Sequence, residues 1–205
     1  KQLKDLAQEQ ISGNIWILFG IALIIAIIVS IASKIGVECT KNAQHFGSFI
    51  ASLLISPPFT VSTVLIYLNL AKGIKPNVGM AFEGFKYYLK SVGLYLILFI
   101  AEVIGLCLLI VPGIIISLAF SMSFYILAEN KNIGIFDALG ASRDMMKGHK
   151  MDLFVLYLSF IGWELLGILT LGILYIWLVP YMSATYVNFY NAIKPQGENV
   201  VIEKA

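Results

Sequence analysis

Charge is what this sequence has least of. Of 205 residues only 13% are Asp, Glu, Lys or Arg, where soluble domains carry about a quarter. An ordinary soluble domain is therefore excluded. Cysteine is nearly absent: Cys39 and Cys107 alone cannot build a disulfide scaffold or a cysteine-based zinc site. Histidine is as rare, with His45 and His149. The net charge of +2 lacks the basic excess of a nucleic-acid-binding protein, so no nucleic acid is expected as a partner. What is abundant is apolar, with 59% hydrophobic residues and a mean hydropathy of +0.87. That is the composition of an integral membrane protein, whose first partner is the lipid bilayer.

A membrane-crossing helix needs about 20 mostly apolar residues to traverse a core about 30 Å thick. Six such segments are expected, at about 14–33, 46–71, 91–110, 114–128, 151–169 and 173–192. They imply an all-α, polytopic membrane helical bundle forming a single integral membrane domain over 1–205. From Ser91 to Ala128 the only charge is Glu102, in a stretch too long for one helix. Pro112-Gly113 is expected to turn a hairpin there, and Thr170-Leu171-Gly172 to turn the last one. Pro57-Pro58 removes two amide donors from the second span, so an unbroken helix is not expected. Either a helix kinks or begins at the prolines, or a broken helix lines a substrate site as in some transporters.

Orientation follows from the basic residues. Twelve of the fourteen fall on the termini and the two long loops, leaving Lys34 and Lys41 on the other side. Positive residues are retained in the cytoplasm, so both termini are expected to be cytoplasmic in a bacterial inner membrane. A cleavable signal ending near Ser30-Ile31-Ala32 is disfavoured, because the apolar stretch exceeds a signal core and Asp5 and Glu9 dilute its basic flank. The chain starts at Lys1 without a methionine, and residues are expected to precede it.

Both long loops read as amphipathic helices lying at the headgroup level, between spans 2 and 3 and between spans 4 and 5. Asn77–Lys90 gathers Val78, Ala81, Phe82, Phe85, Tyr88 and Leu89 on one face, and Ile135–Lys147 gathers Ile135, Ala138, Leu139 and Met146. Gln2–Gln10 has a weaker version of the pattern through Leu3, Leu6 and Ala7. A shift of 57 residues superimposes Leu70-Ala71 on Leu127-Ala128, Ala81 on Ala138, Lys90 on Lys147 and Leu96 on Leu153. This reads as a parallel repeat of span, short helix and span. Trp16, Tyr95, Tyr175, Trp177, Tyr186 and Tyr190 fall near expected interfaces. Small residues four apart (Ala22-Ala26-Ser30, Ser48-Ser52, Ala101-Gly105, Ser117-Ser121) would let helices approach closely.

Chemistry has few carriers. Glu102 and Glu164 are the ionisable residues well inside spans, and an intramembrane acid is costly enough to count as a functional candidate. Burial would favour their protonated form, able to donate a hydrogen bond or carry a proton. A neutral Glu bonded to a carbonyl is the structural alternative. His45 and His149 fall on opposite sides of the expected bilayer. Zinc spacing, a phosphate-cradling glycine loop and a G-x-S-x-G elbow are all missing from the sequence. No catalytic residue, cofactor or metal is expected, and the chain does not read as an enzyme.

The run Ser142-Arg143-Asp144-Met145-Met146-Lys147-Gly148-His149-Lys150, then Leu153-Phe154 and Phe160–Tyr190, resembles the bacterial integral membrane family called domain of unknown function 975. Gly13-Asn14-Ile15-Trp16, Pro112-Gly113-Ile114-Ile115 and Tyr125-Ile126-Leu127-Ala128 are similar to it as well, so the resemblance covers most of the chain. It implies a multi-span helical protein with amphipathic linkers and lends no catalytic residue. Glu164 stands where relatives are expected to carry a small apolar residue.

Arg143, Lys147, His149 and Lys150 form the most distinctive polar segment. They read either as a cytoplasmic anchor or docking site for an unidentified protein partner, or as a helix cap. The leading functional expectation is a non-enzymatic scaffold or accessory protein of envelope physiology, touching anionic lipids at its cytoplasmic face. The alternative is a small-solute or lipid transporter with a midplane cavity near Pro57-Pro58 and Glu102.

Overall fold

The structure, a computed structural model, describes residues 2–39, 44–108, 110–130 and 132–195. Expectations on Lys1, Lys41, Lys131 and Lys204, and on the side chains of Cys39, His45 and Cys107, lie outside what it describes. Every described element is helical: α1 (Gln2–Ile11), α2 (Ile15–Cys39), α3 (Gln44–Ala71), a 3₁₀ segment (Val78–Tyr87), α4 (Tyr88–Leu108), α5 (Ile110–Phe120), α6 (Ser123–Glu129), α7 (Ile135–Met145), α8 (Lys150–Leu169) and α9 (Tyr175–Ile193). Five stretches are long and apolar enough to cross a membrane: Ile15–Val37, Gly47–Ala71, Val78–Gly105, Val111–Glu129 and Lys150–Leu169.

The sixth expected span falls on α9, which at 19 residues is about 28 Å long but is too polar to qualify by composition. Its position explains why. α9 packs on α1, α2, α3 and α8, burying Tyr181, Thr185, Asn188 and Tyr190 among its core residues. A helix wrapped by protein needs no apolar outer face and can spend its side chains on hydrogen bonds, such as Thr185 Oγ1 to the Tyr181 carbonyl at 2.7 Å. Tyr190, expected near an interface, is buried, and Tyr186 is partly buried. On α2 the balance is reversed. Leu23, Ile27, Ile31 and Ile35, four apart, are about half exposed and form a stripe that hydrocarbon would cover. Ala26 and Ser30 lie on the exposed side of α2 too, so they are not a helix-packing seam.

α3 runs continuously through Pro57 and Pro58, which corrects the expected interruption. Both prolines are buried. Here the 3₁₀ segment runs back along α3. Ser62 Oγ donates to the Pro58 carbonyl at 3.1 Å and accepts the Gly84 amide at 2.8 Å. Only glycine fits at position 84, since a Cβ there would lie 1.9 Å from the Pro58 carbonyl oxygen. Ala81 and Gly84 face α3, while Val78, Phe82, Phe85 and Leu89 remain exposed. The loop buries its small residues in the contact, while Phe82 and Phe85 pack edge-on against Phe59 of α3 and keep their outer faces exposed.

Pro112-Gly113 does not make the turn expected of it. Both residues are helical within α5. Gly105 of α4 meets Gly113 there, with an added Cβ only 2.9 Å from the Gly113 Cα. α2 and α3 approach as closely, with Ser33 and Ser52 hydroxyls 3.0 Å apart.

The single helix expected at 114–128 is divided at Ser121-Met122. Ser142 of α7 divides it. Its hydroxyl accepts the Met122 amide at 3.2 Å and donates to the Ala119 carbonyl at 3.0 Å, taking two groups from the helical ladder. A 57-residue shift places Ala119 on Ser62, and in each case a serine hydroxyl ties the short helix to the preceding span, from Ser62 on α3 in one and from Ser142 on α7 in the other. Ala81 and Ala138, aligned by the same shift, are both fully buried, whereas Leu96 is exposed and Leu153 buried. Ser142→Ala leaves two buried backbone groups unpaired. We expect it to cost about 1–3 kcal/mol, read as a lower thermal midpoint of the detergent-solubilised protein.

Candidate polar site at the helix ends

α3, α6 and α9 end together. α3 gives way at Lys72-Gly73, with Gly73 at φ 79°, the left-handed conformation glycine adopts freely. α9 stops at Ile193 because Lys194 precedes Pro195 and takes an extended ψ of 132°. α6 stops at Glu129-Asn130. These ends and α7 enclose a cavity of about 540 Å³ lined by Lys72, Glu129, Asn130, Asp144, Tyr190 and Lys194, with Ile126, Ile133 and Met145 as apolar wall.

Glu129 is the centre of the site. Lys194 donates to Oε1 at 2.5 Å and Tyr190 donates its phenolic proton to Oε2 at 2.6 Å. The Tyr190 ring stacks on Tyr125 with centroids 5.5 Å apart, which fixes the hydroxyl from below. The Glu129 side chain is 18% exposed and that of Lys194 34%. Each would bear a desolvation cost alone, and the pairing offsets it. Lys72 is near enough for its charge to act on Glu129. A carboxylate saturated by two donors, with further charges facing an apolar-walled cavity, is suited to recognising a charged small group.

The residues singled out in the sequence lie elsewhere. Glu102 is exposed on the outer face of α4, beside Val103 and Ile104. Glu164 is half-buried near the end of α8, where its backbone carbonyl accepts the Tyr175 hydroxyl at 3.1 Å. Pro57 and Pro58 are buried against the 3₁₀ segment, so Glu102 and the prolines face different surroundings. Arg143, Lys147, His149 and Lys150 lie along the α7–α8 corner, which turns at Gly148 with φ 85°. Lys147 Nζ lies 2.7 Å and Arg143 Nε 3.8 Å from Asp144 Oδ1, and His149 Nδ1 lies 3.1 Å from Asp152 Oδ2. Hydrogen bonding by Lys147 and its charge hold the Asp144 carboxyl below the usual range. These pairs are mostly exposed, and exposed pairs contribute little to stability.

Sequence reasoning missed Glu129, Tyr190, Lys194 and Lys72. Glu129 and Lys194 are 65 positions apart, and no local spacing announces their pairing. The available signal was Glu129 itself, an acid closing an apolar run.

Comparison with known proteins adds one finding. No curated protein and no solved structure matches this chain. A family model described as Protein of unknown function (DUF975) matches residues 90–197, from the start of α4 past the end of α9 and including Glu129, Tyr190 and Lys194. The chain belongs to the DUF975 family of proteins of unknown function.

Proposed function

We propose that this chain is a non-enzymatic, multi-pass protein of the bacterial inner membrane, with both termini cytoplasmic, serving as a scaffold or accessory protein in envelope physiology. The observation that carries this reading is the gathering of basic residues at one end of the bundle. Lys72 and Lys194 line one cavity with Asp144 of α7. α1 packs on α9 toward the same end, as Asn188 donates to the Leu3 carbonyl at 3.4 Å. Among the described residues Lys34 is the one basic side chain at the opposite end. Such an asymmetry supports a cytoplasmic basic end.

Exposed Phe82, Leu89 and Phe136 beside Lys86 and Lys90 fit amphipathic segments at the headgroup level, in contact with anionic lipid. Arg143, Lys147, His149 and Lys150 are the docking surface for a protein partner. The test is complementation of the envelope defects of a strain lacking the protein. Combined Arg143→Glu, Lys147→Glu and Lys150→Glu substitutions should abolish complementation while the protein stays inserted and folded. Full complementation by that variant would contradict the docking role.

A transport reading is favoured by one feature, a cavity of about 240 Å³ between α3, α6 and α9 lined by hydroxyls of Thr60, Thr63, Tyr67, Tyr125, Ser183 and Tyr186. Glu102 is not among the residues lining it.

A further inference from the structure

The cavity at the ends of α3, α6, α7 and α9 carries a charge pattern that narrows what it can hold. Its volume of about 540 Å³ is in the range of small-molecule sites. Among the described residues two amines and two carboxylates line it, and their charges balance. A purely anionic ligand would meet Glu129 and Asp144, and a purely cationic one would meet Lys72 and Lys194. Of the four charges, Glu129 and Lys194 are committed to each other. Lys72 is exposed and, among the described residues, held in no ion pair. Asp144 uses Oδ1 for both Lys147 and Arg143, leaving Oδ2 open. The spare capacity is one positive group from the end of α3 and one negative oxygen from α7, both facing the same space.

We propose that this cavity binds a zwitterionic phosphoester headgroup of the phosphoethanolamine type, its phosphate against Lys72 and its primary ammonium against Asp144. A primary ammonium supplies donors for Asp144 Oδ2 and for the Asn130 side chain, which a trimethylated one lacks. Ile126, Ile133 and Met145 give the glycerol end of a phospholipid an apolar wall. The inference deepens the membrane reading above, from which it takes only the position of the helix ends at the headgroup level.

The test is calorimetric titration of the full, delipidated chain in detergent with short-chain phosphatidylethanolamine, compared with phosphatidylcholine, phosphatidylglycerol and soluble phosphoethanolamine. Saturable binding of the ethanolamine lipid is expected, weakened about tenfold by Lys72→Glu and by Asp144→Asn, both on exposed side chains. Phosphatidylcholine and phosphatidylglycerol should each bind at least about threefold more weakly. Binding of the lipid without binding of soluble phosphoethanolamine supports a bilayer source, and equal binding supports a free one. Absence of binding, equal affinity for phosphatidylglycerol, or indifference to Lys72→Glu would overturn the proposal. None of these readouts depends on which side of the membrane the site faces.

Discussion

Gly84→Ala should destabilise the protein by about 3 kcal/mol or more, the largest effect expected of a single methyl group in this fold. The added Cβ would lie 1.9 Å from the Pro58 carbonyl oxygen and 2.7 Å from Ser62 Oγ. The first of these is backbone in the middle of α3, which cannot swing aside like a side-chain tip. Relief requires the 3₁₀ segment to lift, which stretches the Gly84 amide bond to Ser62 and uncovers Pro58. In a protein of this size a loss of that order lowers the thermal midpoint by about 6–12 °C. Gly140→Ala is the matched control, because nothing lies within 4 Å of a Cβ there. It sits inside α7, where alanine is the better helix former, so stability should hold or rise by a few tenths to about 1 kcal/mol. Equal midpoints for the two variants would mean that the 3₁₀ segment does not dock on α3 as described.

Glu129→Ala comes second, at about 2 kcal/mol. Removing one member of a buried ion pair costs about 3–5 kcal/mol because the partner charge is stranded. Here the Lys194 side chain is 34% exposed and can turn toward water, which reduces the cost. The Tyr190 hydroxyl also loses its acceptor. Glu129→Gln should be milder, since the amide oxygen still accepts from Tyr190. Combining Glu129→Leu with Lys194→Met should recover much of the loss, as well-packed apolar replacements of buried pairs often do. A double-mutant cycle reads the coupling directly, with about 1–2 kcal/mol expected and strict additivity ruling the pair out as a unit.

What the sequence disclosed was what depends on composition and short-range period. The apolar runs marked α2, α3, α4, α5–α6 and α8, because crossing hydrocarbon demands a long apolar segment whatever surrounds it. α7 was legible through Ala138, Leu139 and Met146, which are indeed buried. What stayed hidden is set by partners distant in sequence. The break between α5 and α6 is written in Ser142, twenty positions beyond Met122, and no residue at 121–122 announces it. Pro57-Pro58 read as an interruption because the local rule is strong, yet α3 runs through the pair, with the 3₁₀ segment docked beside it through Ser62. α9 has the polarity of an interior helix, so hydropathy alone undervalues it. Intramembrane rarity drew attention to Glu102 and Glu164, whereas the carboxylate with the most elaborate partners is Glu129, at a helix end where an acid looks ordinary.

The central claim is that the end of the bundle carrying α1, α7 and the Glu129 cavity faces the cytoplasm. Single cysteines at Lys75 and Ile173, both exposed and at opposite ends, test it in a Cys39→Ser, Cys107→Ser background. With a membrane-impermeant maleimide, Ile173→Cys should label in intact cells, whereas Lys75→Cys should label only in inverted vesicles. Labelling of Lys75→Cys from outside, or of both positions from one side, would contradict the account.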